Sequence, residues 1–387
     1  MKNSSQLTSA LAIGSPFIAV AALSYSPVTA GERAPAHSPT TLDEVWSYAT
    51  LYQNEDNSVI QKFALSGRFH ADYSNLHSNQ GDYGAFDIRR FRFGFKSQWF
   101  DDFTLHVEAD IDAENIDFGS DSETYKGLTD AYIAWSANTQ FGIKVGKQSA
   151  GFTLDGKTSS KKLLTLERSN LANNLWFTTE YFTGASASYK LDKCRYFVGA
   201  FSSAAPKEFS QFDAGNFGIL SAAYDLTDQT GGKESLLTLD YVYNDPHALN
   251  DTRPFQHVSS LNHRYENDVW GLRSEISAAQ GYAEQSDIWG LSVMPFYNIN
   301  GNLQLVTRYT HLSSSDENGL RLNRYENKIE SGRGNSNHEG YLGLNWYIHD
   351  HKLKLQSGIT YTNMYDKAND GGDYDGWALN LGLRTYW

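Results

Sequence analysis

The sequence predicts an all-β chain closed as a transmembrane antiparallel β-barrel of about sixteen strands, and three observations predict it. From Gln61 to Trp387 apolar side chains recur at every second position, with polar or charged ones between them. The links between these runs alternate between very short and long and polar. The chain is rich in strand formers, with 24 Tyr, 21 Phe and 9 Trp, yet nowhere holds an apolar run long enough for a spanning helix. A mean hydropathy of -0.51 agrees with that last point.

The elements follow in chain order. Residues 1–30 read as a cleaved export leader: Lys2 opens it, 10–23 is apolar, and Val28-Thr29-Ala30 offers small residues before Gly31. Residues 31–60 are expected to be a flexible segment carrying a short amphipathic helix at about 41–53. There Thr41 and Glu44 have capping-box spacing, and Val45, Tyr48, Ala49 and Tyr52 recur at helical spacing. The barrel domain then occupies 61–387.

Its first strand alternates Phe63, Leu65, Gly67, Phe69 and Ala71 against Lys62, Ser66, Arg68, His70 and Asp72. The next hairpin, residues 86–110, sets Phe91, Phe93 and Phe95 against Arg90, Arg92 and Lys96, turns at Asp101-Asp102, and resumes with Phe103, Leu105 and Val107. Further runs lie at 128–137, 140–148, 181–190, 194–202, 216–226, 235–244, 257–266, 269–281, 287–298, 302–312, 338–348, 352–365 and 374–387. The last ends on an aromatic residue, Trp387. Runs of this length, tilted, cross a bilayer's hydrocarbon.

Short links fall at 101–102, 138–139, 191–193, 227–234, 267–268, 300–301 and 349–351. Long ones are expected at 75–85, 112–127, 149–180, 203–215, 245–256, 282–286, 313–337 and 366–373. Short turns on one rim and long loops on the other mark an outer-membrane barrel with short periplasmic turns and long extracellular loops. A soluble sandwich would also bury one greasy face. Its other face, however, would have to carry Arg68, Arg92, Lys96, Glu108, Arg273, Glu275 and Arg308, which need water. Apolar outward and charged inward suits a water-filled barrel, whose closure satisfies every backbone group in lipid.

Selectivity then rests on what narrows the lumen and which charges line it. The loop 149–180 is long enough to fold inward, and 159–170 is expected to hold one or two helical turns. It carries Lys157, Lys161, Lys162 and Arg168 with Asp155, Glu167 and Glu180. Arg68, Arg90, Arg92, Lys96 and Arg308 sit at inward positions on strands. Together these nine basic residues are the candidate pore and constriction set, either guiding anions or bracing the wall against nearby carboxylates.

A net charge of -13 disfavours a nucleic-acid partner, and the acidic stretch 110–123 places much of that charge in a loop. The single cysteine, Cys194, allows no internal disulfide. The eleven His are scattered, and no Ser-containing elbow, H-E-x-x-H or phosphate loop appears, so no enzyme, cofactor or metal is expected.

The run 86–112, followed by 128–175, resembles the phosphate-selective porin O and P family. The matching segments are Phe100-Asp101-Asp102-Phe103, Asp130-Ala131-Tyr132-Ile133, Val145-Gly146-Lys147-Gln148 and Glu167-Arg168. The resemblance implies a trimeric sixteen-stranded porin with an inward third loop and an anion-guiding lumen. It would lie in the bacterial outer membrane among lipid and lipopolysaccharide and pass small hydrophilic solutes, with phosphate as a candidate. Residues 149–155 depart from the family's character. Two other readings stay open: a general porin selecting by size, and a plugged surface barrel.

Overall fold

A computed structural model describes residues 41–113, 124–175 and 180–387. The assigned leader, the tract 31–40 and most of the acidic stretch 110–123 lie outside them. Sixteen antiparallel strands close into a barrel. They are β1 (Ile60–Ser78), β2 (Gly81–Trp99), β3 (Phe103–Ile111), β4 (Tyr125–Ser136), β5 (Phe141–Ser149), β6 (Tyr181–Leu191), β7 (Cys194–Ser202) and β8 (Asn216–Asp225). The rest are β9 (Glu234–Asn244), β10 (Phe255–Glu266), β11 (Trp270–Gly281), β12 (Ile288–Asn298), β13 (Leu303–Ser314), β14 (Ser336–His349), β15 (Leu353–Tyr365) and β16 (Tyr374–Tyr386).

Each strand pairs with its neighbours in sequence, and β16 closes on β1 from Gly376 opposite Ser78 to Tyr386 opposite Arg68. The stagger leaves the first residues of β1 beyond the end of β16. Thr50–Gln53 covers that edge as a short strand, with Gln53 opposite Lys62 and Tyr52 opposite Phe63. The expected helix over 41–53 therefore ends early: only α1 (Thr41–Ser47) is helical. An unpaired sheet edge at Lys62–Ala64 outweighs two further helical turns, because extended backbone at Thr50–Gln53 satisfies it.

The first long loop expected, 75–85, is instead a two-residue turn at Asn79-Gln80 between two 19-residue strands. Its polar sequence reads as loop. Pairing to β16 on one side and β2 on the other holds it extended, and Asn79 N–H donates to the Asp375 carbonyl at 2.9 Å.

Outward positions are exposed and apolar, among them Ile133, Val145, Val198, Leu220, Leu239, Leu261, Ile276, Leu342 and Leu379. The inner face is less uniformly polar than alternation predicts. Phe201, Phe217, Ile219, Val242, Phe255, Val258, Ile288 and Leu312 form a buried cluster with Phe152, Leu171 and Leu175 of the third loop. The inserted loop thus packs as a hydrophobic core against the β7–β13 wall, and open lumen remains beside β1–β5.

Candidate functional site

The long third connection is what shapes the lumen. It holds two short helices, α2 (Leu154–Lys157) and α3 (Asn170–Leu175). Residues 158–169 between them are irregular, so the helical turns expected at 159–170 lie mostly outside that span, at the loop's two ends. The reason is anchoring. Leu164 and Leu166 bury against Met294, Phe296, Val306 and Tyr341 of the far wall, while wall side chains bond the carbonyls at the start of this stretch. Lys354 Nζ donates to the Leu163 carbonyl at 2.5 Å and Asn345 Nδ2 to the Leu164 carbonyl at 2.8 Å. Backbone pinned in this way cannot also complete helical bonds.

Several of the nine predicted basic residues serve as anchors. Arg308 donates to Glu339 at 2.8 Å, to Thr165 Oγ1 at 2.9 Å and to the Glu167 carbonyl at 3.1 Å, with Asp155 at 3.6 Å. Lys157 is buried against Asp240 and Ser221. Arg168 donates to Glu180 at 2.5 Å and to the Asp155 and Thr158 carbonyls. Arg68 spans Glu108 at 2.7 Å and Ser160 Oγ at 2.9 Å.

The remainder face two water-accessible chambers. The one toward the short turns, about 740 Å³, is lined by Lys62, Lys96, Lys144, Lys161, Lys162 and Lys352, with Asp101, Asp102 and Asp130. The one toward the long loops, about 650 Å³, is lined by Arg89, Arg90, Arg92, Lys147, Lys207, Arg253 and Arg324, with Asp110 and Glu167. Arg168, Glu180 and Tyr181 border both and mark the narrowing between them.

At that narrowing Arg92 donates to Tyr181 Oη at 2.5 Å and has Asp110 at 3.7 Å. Arg90 approaches a carboxylate only at 3.8 Å, to Glu180, whose nearer partner is Arg168. Burial raises the Glu180 carboxyl, but Arg168 and Arg90 pull it down to about 2. The Lys161 ammonium, half-buried in the loop, is drawn down to about 8 by burial and by Arg68.

Alternation alone misses Arg89. Arg90 pairs with His70 and Asp87 with Asp72, so β2 fits two residues where β1 has one, Ala71. This bulge turns Arg89 and Arg90 to the lumen together. Arg89 then clamps the loop through Glu167. The signal was the adjacent pair Arg89-Arg90, which breaks strict alternation. Lys144 and Lys352 were also missed: one stands alone in a short strand and the other sits at a turn.

Comparison with solved structures finds the same fold in outer-membrane proteins. An anion-selective porin from Comamonas acidovorans is 11% identical with a TM-score of 0.57, covering 84% of this chain and 99% of its own. Pseudomonas putida OprB is 11% identical with a TM-score of 0.57, covering 84% and 94%. Salmonella typhi OmpF, in complex with daunomycin, is 13% identical with a TM-score of 0.58, covering 87% and 99%. No curated protein matches the sequence. The family model for phosphate-selective porin O and P matches residues 63–262. This is the family whose motifs the first strands resemble, and its fold is that of a channel rather than an enzyme. The chain therefore belongs to the phosphate-selective porin O and P family and forms an outer-membrane channel.

Proposed function

We propose that the channel favours small anions, phosphate among them, and that Arg90 is the side chain a passing anion meets at the narrowing. The observation carrying this reading is the division of partners. The loop carboxylates Glu167 and Asp155 are taken up by Arg89 and Arg308, not by the loop lysines. Lys161 faces the inner chamber, and Arg90 faces the outer one with its nearest carboxylate, Glu180, at 3.8 Å. Basic side chains outnumber the acids that line each chamber, so the lumen keeps a positive potential along its path, which draws anions from either mouth.

Of the nine basic residues first singled out, Arg90, Arg92, Lys96, Lys161 and Lys162 then act on solutes. Arg68, Lys157, Arg168 and Arg308 hold the loop. The chain would be exported by its leader at 1–30, leaving the segment 31–60 at the periplasmic rim and the barrel at 61–387. It would assemble as a homotrimer among outer-membrane lipid and lipopolysaccharide.

The test is the reversal potential of the purified protein in a planar bilayer across a KCl gradient, followed by addition of phosphate. A chloride-directed potential with phosphate blocking the chloride current supports the reading. A near-zero or cation-directed potential with large conductance would leave a general porin with wall-bracing arginines. No conductance would leave a plugged barrel.

A further inference from the structure

The outer wall carries a feature that conduction does not use. On β9–β14 no outward position holds Lys or Arg; histidine is the only residue there that can carry positive charge. Three of these histidines stand near the long-loop ends of their strands: His257 on β10, His311 on β13 and His338 on β14.

Two are presented in the same way. Tyr241 Oη lies 2.7 Å from His257 Nδ1, and Tyr309 Oη lies 2.8 Å from His338 Nδ1. Each tyrosine sits on the neighbouring strand, and each bond occupies Nδ1, leaving Nε2 as the nitrogen available to the surroundings. His311 and His338 are also directly opposed across the β13–β14 ladder, their ring centroids 4.5 Å apart, and Trp289 packs edge-on against His311. His311 Nδ1 is buried without a hydrogen-bond partner among the described residues.

Like charges directly opposite on a sheet repel. A doubly protonated His311–His338 pair is therefore favoured only when one anion serves both rings. The neighbouring strands supply none: Leu291 of β12 stands opposite His311, Asn363 of β15 opposite His338, and Tyr243 and Gln280 opposite His257. The carboxylate of Asp375, one strand further on, already accepts from Tyr361 at 2.5 Å and Asn363 at 3.0 Å. In an outer-membrane barrel, the anions that meet the outward wall at its long-loop end are lipid phosphates.

Resting on the outer-membrane assignment, we infer that His257, His311 and His338 form a docking surface for the phosphates of the outer-leaflet glycolipid, engaged in acid and released toward neutral pH. The tyrosines fix the rings, and protonation supplies the charge.

The test uses the full barrel in nanodiscs of phosphatidylethanolamine doped with bis-phosphorylated lipid A, dephosphorylated lipid A or phosphatidylglycerol, with retained lipid counted by native mass spectrometry. Retention of bis-phosphorylated lipid A should rise severalfold from pH 7.5 to 5.5, because imidazoles gain protons as the pH falls. The triple variant H257Q/H311Q/H338Q should lose that rise while keeping single-channel conductance and heat-modifiable gel mobility, which report an intact barrel. Retention that is equal at both pH values, unchanged in the variant, or matched by phosphatidylglycerol would overturn the inference. Loss of conductance in the wild type would instead count against the channel reading.

Discussion

Arg89 holds Glu167 through two hydrogen bonds, Nε to Oε1 at 2.6 Å and NH2 to Oε2 at 3.1 Å. The pair joins the second strand to the middle of the inserted loop, and a strand bulge makes it possible. Burial raises the Glu167 carboxyl, but Arg89 holds it well below the usual carboxylate range. The contact therefore stays charged throughout the working pH of the channel. One short ion pair tethers the loop to β2 and leaves the neighbouring Arg90 with only the Glu180 carboxylate, at 3.8 Å.

Removing one partner leaves a charge with little solvent, so R89M should destabilise the loop by about 3 kcal/mol, whereas R89M/E167M should cost much less. Open-channel current noise and tryptic cleavage at Lys161 and Lys162 should rise in R89M and fall back in the double variant. Equal noise in both would show that the pair does not hold the loop.

Arg90 and Arg308 test the proposed division between selectivity and bracing. R90Q should move the KCl reversal potential toward zero with little change in thermal stability. R308Q should lower stability by about 3 kcal/mol, because it leaves Glu339 and Asp155 unpaired in a dry setting. If R308Q shifts selectivity as much as R90Q, the division of roles fails.

Lys161 predicts a pH dependence. With its ammonium drawn down to about 8, the group is charged below that value and neutral above it. Anion preference should therefore fall between pH 7 and pH 9 in the wild type. K161M should shrink that step and lower the preference below pH 8, and a step of unchanged size would show that Lys161 does not set it.

Strand closure depends on two glycines. A Cβ at Gly94 would lie 1.9 Å from the Val107 carbonyl oxygen, and one at Gly67 would lie 2.5 Å from both the Arg92 carbonyl oxygen and the Trp387 ring. G94A should block the β2–β3 pairing and abolish heat-modifiable mobility. In G67A the terminal indole can shift but the Arg92 carbonyl yields only by distorting the β1–β2 pairing, so that barrel should insert less efficiently and melt at a lower temperature.

The barrel, its strand count, the side bearing the short turns and the inward parity of Arg68, Arg90, Arg92, Lys96 and Arg308 were legible in the local pattern of the chain. Each of these follows from the two-residue period of a strand in lipid, which any stretch such as 91–96 displays locally. Tertiary structure decided the rest. The bulge that brings Arg89 inward depends on register with His70 and Asp72, and 75–85 becomes strand only because β16 lies alongside. Which basic residues face the path and which hold the loop depends on partners distant in sequence. Lys157 meets Asp240, Arg308 meets Glu339 and Asp155, and Lys354 meets the Leu163 carbonyl. A charge pattern shows which face a side chain occupies, but only the folded loop shows which charges are already neutralised.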